Sequence, residues 1–235
     1  MDTAAARTVR VDQQSAVSAI VARAHGAATR LVGIARLPDF QAIVARRGAH
    51  LRDCADLRLR RVGLPSASLQ AGGPRADALR ALTAALETRG LYYRDVEWVD
   101  LPPAETLMPT LPTAYAAEIN ALHSGAVDAV YVRGPAGLAA ARDAGARMLV
   151  DISGHGDPWF RAHTALLRVV TVSEPLLPAH PEVLPERMSL EDSALGALET
   201  LKTFMARWAF IRADFTIAGW IDGEPVRRAT PSFVV

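Results

Sequence analysis

The chain has 235 residues, half of them hydrophobic, which is enough to bury a sizeable core. Its 26 basic and 25 acidic residues leave a net charge of +1, so no overall field draws it to nucleic acid or a membrane surface. The single Cys54 excludes an internal disulfide, and no stretch reaches the ~20 apolar residues of a membrane span.

Lys202 is the only lysine; every other basic residue is arginine. Imine chemistry with pyridoxal phosphate would have to use it, and it lies inside a late amphipathic helix, so that class is disfavoured and no cofactor is expected. The opening Met1-Asp-Thr-Ala-Ala-Ala-Arg7 lacks the apolar run of a secretory signal. As written, the chain is expected in the cytoplasm. It is expected in the periplasm or outside the cell if an upstream signal has been lost.

Short β-rich runs alternate with helical patterns, the signature of α/β architecture with largely parallel sheets. Thr8 to Val11 reads as a brief strand. A helix follows from about Ser15, with Val17, Ile20, Val21 and Ala24 on one face and Gly26 as its stop. Residues 30–35 and 41–45 read as strands, 53–57 as one helical turn, and 61–64 as another strand. The small, polar run 65–74 then opens a strong helix with Ala76, Leu79, Leu82 and Leu86 as its apolar stripe. Pro74 suits the first turn, and Gly90 ends the helix. Further on, 96–99, 127–132 and 148–152 read as strands. Residues 115–122 and 138–144 read as helices stopped by Gly125 and Gly145. After the flexible stretch 153–158 comes a strand over 166–172. A long helix from Asp192 carries Leu195, Leu198, Leu201, Met205 and Trp208, and a last helical piece spans 215–221.

Two glycine-rich crossovers, after Leu64 and after Ile152, divide the chain. They predict an outer lobe from residues 1–65 and 165–235 and an inserted inner lobe from 66–164, joined as a hinge with a ligand between them. Residues near Ser68 and His155 are expected to meet at that cleft.

Four segments resemble, in order, the substrate-binding proteins of nitrate, sulfonate and taurine importers. They are Thr29–Ile34 with Gln41–Val44, Cys54–Leu57 leading into Arg61–Ser68, Asp95–Pro103, and Ala121–Pro135. The resemblance implies a two-lobed type 2 periplasmic-binding-protein-like α/β fold with an incomplete first lobe, since the family's opening strand and helix precede the matched part. The wording is also similar to the desulfinase branch of that fold, which acts on hydroxybiphenyl sulfinate. That branch's nucleophilic cysteine falls in the unmatched opening piece. Its His and Arg partners fall on the stretch Val9–Ser18, which has no His and no arginine after Arg10. The resemblance therefore carries no catalytic residue onto this chain.

Ser66, Ser68, Gly72 and Gly73 precede the helix near Pro74, where free amides and the positive helix end favour an oxyanion; an ordinary capped loop is the competing reading. Tyr131 and Arg133 end a parallel strand, where α/β folds place ligands, and Arg133 suits an anion clamp or a surface ion pair. His155 reads as a cleft or loop histidine. His155, Asp157 and His163 match no metal-ligand spacing. Cys54 reads as a buried, inert thiol. Trp98, Trp208 and Trp220 suit core faces, while Trp159 is placed to stack on a ligand. Serine-nucleophile, phosphate-loop and dinucleotide motifs are absent from the sequence.

The resulting expectation is a small-molecule binding protein for a sulfonate- or carboxylate-like anion, of ABC-transporter type and partnered by a permease. The alternatives are a desulfinase-like C–S lyase and a chain completed by another subunit. An edge strand exposed near Arg30–Ala35 would favour a homo-oligomer.

Overall fold

In the computed structural model, residues 11–66, 73–102, 114–173 and 188–222 are described. They form β1 (Val11–Ser15), α1 (Ala16–Ala24), β2 (Thr29–Leu37), β3 (Gln41–Ala45), β4 (Arg61–Leu64), α2 (Gly73–Glu87) and β5 (Glu97–Asp100). These are followed by α3 (Ala116–Ser124), β6 (Ala129–Arg133), α4 (Gly134–Asp143), β7 (Arg147–Asp151), α5 (Pro158–Thr164), β8 (Leu166–Ser173), α6 (Asp192–Arg207) and α7 (Ile217–Asp222). Short 3-10 turns cover Cys54–Leu57 and Tyr93–Asp95. Most expected elements lie within a few residues of where the apolar periodicity puts them. The strand Val11–Ser15 and the helix Pro158–Thr164 are the exceptions. One is polar after Val11, and the other begins at the end of the flexible stretch 153–158 and is too short to show a helical period.

The chain divides into two compact units, one from Met1–Leu37 and Leu167–Val235 and the other from Pro38–Leu166. The first boundary thus falls at Leu37–Pro38, not at residue 65, and neither crossing point is a glycine-rich segment. Long-range pairing explains the difference. β3 and β4 belong to a five-stranded sheet of order β5-β4-β6-β3-β7, which keeps residues 41–64 in the second unit. Sequence periodicity identifies β3 as a strand but says nothing of its partners.

In the first unit the sheet order is β1-β8-β2, with β1 antiparallel to β8 from Val11↔Val172 to Ser15↔Arg168. β2 is an edge strand, as its sequence suggests, and one antiparallel bridge, Ile34↔Ser189, caps part of that edge. Trp220 is buried edge-on against Phe215 and donates from Nε1 to Thr29 Oγ1 at 3.3 Å. Lys202 is buried too, with Nζ 2.9 Å from Glu199, 3.1 Å from Asp214 and donating to Phe215 O at 2.7 Å. Burial lowers its pKa, but the two carboxylates outweigh that and hold the ammonium charged.

In the second unit β4 runs parallel to β5 and to β6, while β3 runs antiparallel to both β6 and β7. Four strands therefore share one direction and β3 opposes them. Strand alternation sorts β6 between two layers. Val130 and Val132 join Ala42, Val44, Leu101, Leu122 and Ala141 in one buried cluster. Ala129, Tyr131 and Arg133 fall on the opposite, α2 side. Gly125, at φ +72, ends α3 in the left-handed conformation that a side chain would resist. Gly63 lets β4 approach Val130 and Leu101, which stand 3.0 and 3.1 Å from where a Cβ would be.

α2 departs from the amphipathic helix read from its stripe. Every residue from Ala76 to Leu86 is buried, including Asp77, Arg80 and Thr83. The cause is cover from more than one element, since α2 packs against α5 as well as against β4 and β6.

Candidate functional site

Because β4, β5 and β6 are parallel, their C-terminal ends share one rim of the sheet. The antiparallel β3 brings its first residue, Gln41, to the same rim, and β7 brings Ser153 and His155 just beyond its end. Ser153 Oγ accepts from Gln41 N at 2.6 Å and Ile152 N donates to Gln41 O at 2.9 Å, stitching the rim together. Gly134 N donates to Phe40 O at 2.7 Å. Gly134 makes this turn into α4 at φ +67, a conformation that glycine adopts without strain.

Arg133 is held at this rim through its backbone. Tyr115 Oη donates to Arg133 O and accepts from Arg133 N, both at 3.0 Å. Its guanidinium reaches α2, with Nη1 2.6 Å from Asp77 Oδ2. The Arg133 side chain remains 34% exposed, while that of Asp77 is 6% exposed. Burial alone would lower Arg133, but Asp77 together with Tyr131, Tyr115 and Asp39 outweighs it and its pKa rises. Asp77 is pushed upward by burial, against the pull of Arg133 and Arg80.

Tyr131 does not present its proton to the rim surface. Its hydroxyl is buried and donates to Gln41 Oε1 at 2.7 Å, with its pKa driven well above the usual range by burial and by Asp77. Tyr131 thus orients Gln41. Ser66 and Gly73 lie at the end of β4 and the start of α2, and Arg75 on the first turn of α2 donates to Pro65 O at 2.8 Å and pairs with Asp100 at 2.7 Å. Ser68 and Gly72 lie outside the described residues, as does any approach of Ser68 to His155.

His155 accepts at Nδ1 from Asp157 N at 3.2 Å, and its ring packs 4.3 Å from Phe160. Asp157 caps α5 by accepting from Trp159 N at 2.9 Å. Trp159 stacks on His163 at 4.0 Å, and the Nδ1 of His163 bonds to Trp159 O. Among the described residues no group of three or more His, Cys, Asp or Glu side chains could hold a metal ion. Trp98, expected in a core, instead stacks on Tyr93 at 4.9 Å near the surface of edge strand β5.

Sequence reasoning did not single out Gln41, Tyr115, Ser153 or Asp77, nor the most deeply buried charged residue of the site. Arg80, on the second turn of α2, is 4% exposed and donates from Nη2 to Ala165 O at 2.7 Å, with Asp77 Oδ1 3.6 Å away. Its Nε and Nη1 are buried with no hydrogen-bond partner. The available signal was Asp77-x-x-Arg80 interrupting an apolar helix, but only tertiary packing, with Asp77 against Arg133 of β6 and Arg80 against the end of α5, turns that pair into a buried one.

Among solved structures, the desulfurization enzyme DszB superposes with a TM-score of 0.67 at 21% identity, covering 92% of this chain and 83% of that one. A DszB mutant in complex with biphenyl-2-sulfinic acid gives 0.52 at 22% identity, over 95% and 75%. The periplasmic aliphatic sulphonate binding protein SsuA from Escherichia coli gives 0.52 at 18%, over 94% and 65%. The chain has the type 2 periplasmic-binding-like fold of this group. No protein-family model matches the sequence, and no curated protein matches it. At these identities the likeness establishes the fold alone.

Cys54 is neither exposed nor activated in the way a sulfur-attacking nucleophile is. It is 1% exposed, and burial, with Asp53 beside it, pushes its thiol up to about 12. The thiolate that nucleophilic chemistry requires is suppressed at neutral pH.

Proposed function

We propose that this protein binds a small organic oxyanion, sulfonate- or carboxylate-like, at the strand-end rim of its second unit. The observation that carries the reading is a partly exposed Arg133, held at the rim by Tyr115 and paired with a buried Asp77 that it shares with Arg80, so that two guanidiniums face one carboxylate. Exposed enough to meet a ligand and held in place, such a guanidinium offers charge-assisted contacts to an incoming anion. Gln41, Ser66, Ser153 and the start of α2 supply neutral donors around it. As a receptor of the SsuA type, the protein would serve an ABC permease in the periplasm.

The test is calorimetric titration of the full chain with alkanesulfonates, aryl sulfinates and aromatic carboxylates. Arg133→Ala alone would leave Asp77 with a weaker partner, so Asp77→Asn/Arg133→Gln, which removes both charges, is the cleaner variant. It should lose on the order of 1.5–3 kcal/mol of binding, or roughly 10- to 150-fold. Undiminished affinity in that variant would remove the rim from the ligand site.

The superposition with DszB favours a second reading, a C–S lyase. Release of sulfite from an aryl sulfinate would support it, and loss of that release in Cys54→Ala would make Cys54 the nucleophile despite its burial.

A further inference from the structure

Arg80 is the most poorly satisfied charged group among the buried residues of the second unit. A guanidinium carries five N–H donors, and here only Nη2 has a hydrogen-bonded acceptor. The neighbouring polar groups are already committed. Asp77 gives Oδ2 to Arg133 at 2.6 Å and brings Oδ1 no closer than 3.6 Å to Arg80. The Thr83 hydroxyl lies 2.8 Å from Leu79 O and 3.2 Å from Arg80 O. Tyr131 donates to Gln41. One carboxylate therefore serves two guanidiniums, and the cluster of Asp77, Arg80 and Arg133 holds one positive charge in excess.

Leaving a buried charged donor unmade is costly. A water molecule could accept from Nε or Nη1, but it brings no charge. An oxyanion brings both acceptors and the missing charge. We propose that Arg80 is the buried anchor of the anion site, and that Nε and Nη1 take oxygens of a sulfonate, sulfate or carboxylate group whose outer side meets Arg133. The organic part of that ligand rests on the function proposed above; the oxyanion head rests on Arg80 itself.

The experiment uses the full chain and two probes, inorganic sulfate and an alkanesulfonate. Thermal unfolding is followed in sulfate and in chloride at matched ionic strength, and the alkanesulfonate is titrated calorimetrically. Sulfate should raise the melting temperature of the wild type beyond chloride and should compete with the alkanesulfonate for one site. Arg80→Met should abolish the sulfate-specific rise and weaken alkanesulfonate binding at least tenfold, with Arg80→Lys intermediate. Should Arg80→Met fail to fold, Arg80→Lys and the wild-type competition still decide the matter. A wild type stabilised equally by both salts overturns the anchor, as does alkanesulfonate affinity unchanged in either Arg80 variant. Binding lost in the Arg133 double variant but untouched by Arg80→Met would leave the proposed function standing and the anchor refuted. Sulfate-specific stabilisation without any organic anion bound would do the reverse.

Discussion

Glu118 sits in the first turn of α3, where the helix dipole favours negative charge, yet burial pushes its carboxyl above the ordinary 4.5. Its folded pKa is therefore higher than its unfolded one. The native state gains from the bound proton below about pH 4.5 and loses that gain as pH rises through the folded value. At neutral pH the protein carries a half-buried carboxylate at some cost. Glu118→Gln removes the cost without changing the shape, so its melting temperature should exceed the wild type's at pH 7 and match it at pH 4. A difference constant across that range would assign the effect to packing instead. Arg133 was legible at the same scale, because a strand-terminal arginine in an α/β pattern already points to a ligand. Arg80 was not, because burial of a helical arginine depends on what covers the helix.

The element that covers Arg80, α5, is seven residues long and starts at Pro158, with Asp157 as its cap. Too short to show a helical period, it went unread behind the stretch that carries Gly154 and Gly156, and with it went the burial of Arg80. Longer elements were readable because apolar spacing over three or more turns leaves little choice. α4 shows a second limit, since its close approach to β6 rests on Gly137. A Cβ there would stand 3.0 Å from Val132 Cβ, 3.2 Å from the Val132 carbonyl carbon and 3.2 Å from Tyr115. β6 is paired on both sides and cannot retreat, so the ring of Tyr115 must move, and its hydroxyl holds Arg133 at both backbone atoms. Overpacking of this kind costs about 1–3 kcal/mol, against a helix-propensity gain of at most about 1 kcal/mol. Gly137→Ala should thus lower stability and weaken anion binding together. Gly196, exposed in α6 with nothing within 4 Å, is the control, and Gly196→Ala should stabilise by up to about 1 kcal/mol. Denaturant titration of both variants checks the pair. Equal effects would mean that α4 has room to shift.

At the scale of the whole molecule, the two units make unequal demands on the chain. The first is discontinuous: its β1 comes from the leading segment and pairs with β8 from the trailing one, so it cannot form until both are present. The second runs without interruption from Pro38 to Leu166 and contains every strand of its own sheet, together with α2 to α5. Its core cluster draws only on residues within those bounds, and so do the hydrogen bonds that fix Gln41, Tyr131, Arg133 and Ser153. Those pairings span most of the unit's length, which is why the sequence located the strands but misplaced the first boundary. The length is also within the usual range for an independently folding domain. Residues 38–166 expressed alone should therefore give a cooperative thermal transition, with near-ultraviolet dichroism from packed aromatic side chains. The fragment should also retain the sulfate-specific stabilisation assigned to Arg80. A collapsed fragment with helical far-ultraviolet signal but no near-ultraviolet signal would show that the second unit takes part of its packing from the first. A folded fragment that fails to respond to sulfate would place the anion site outside it.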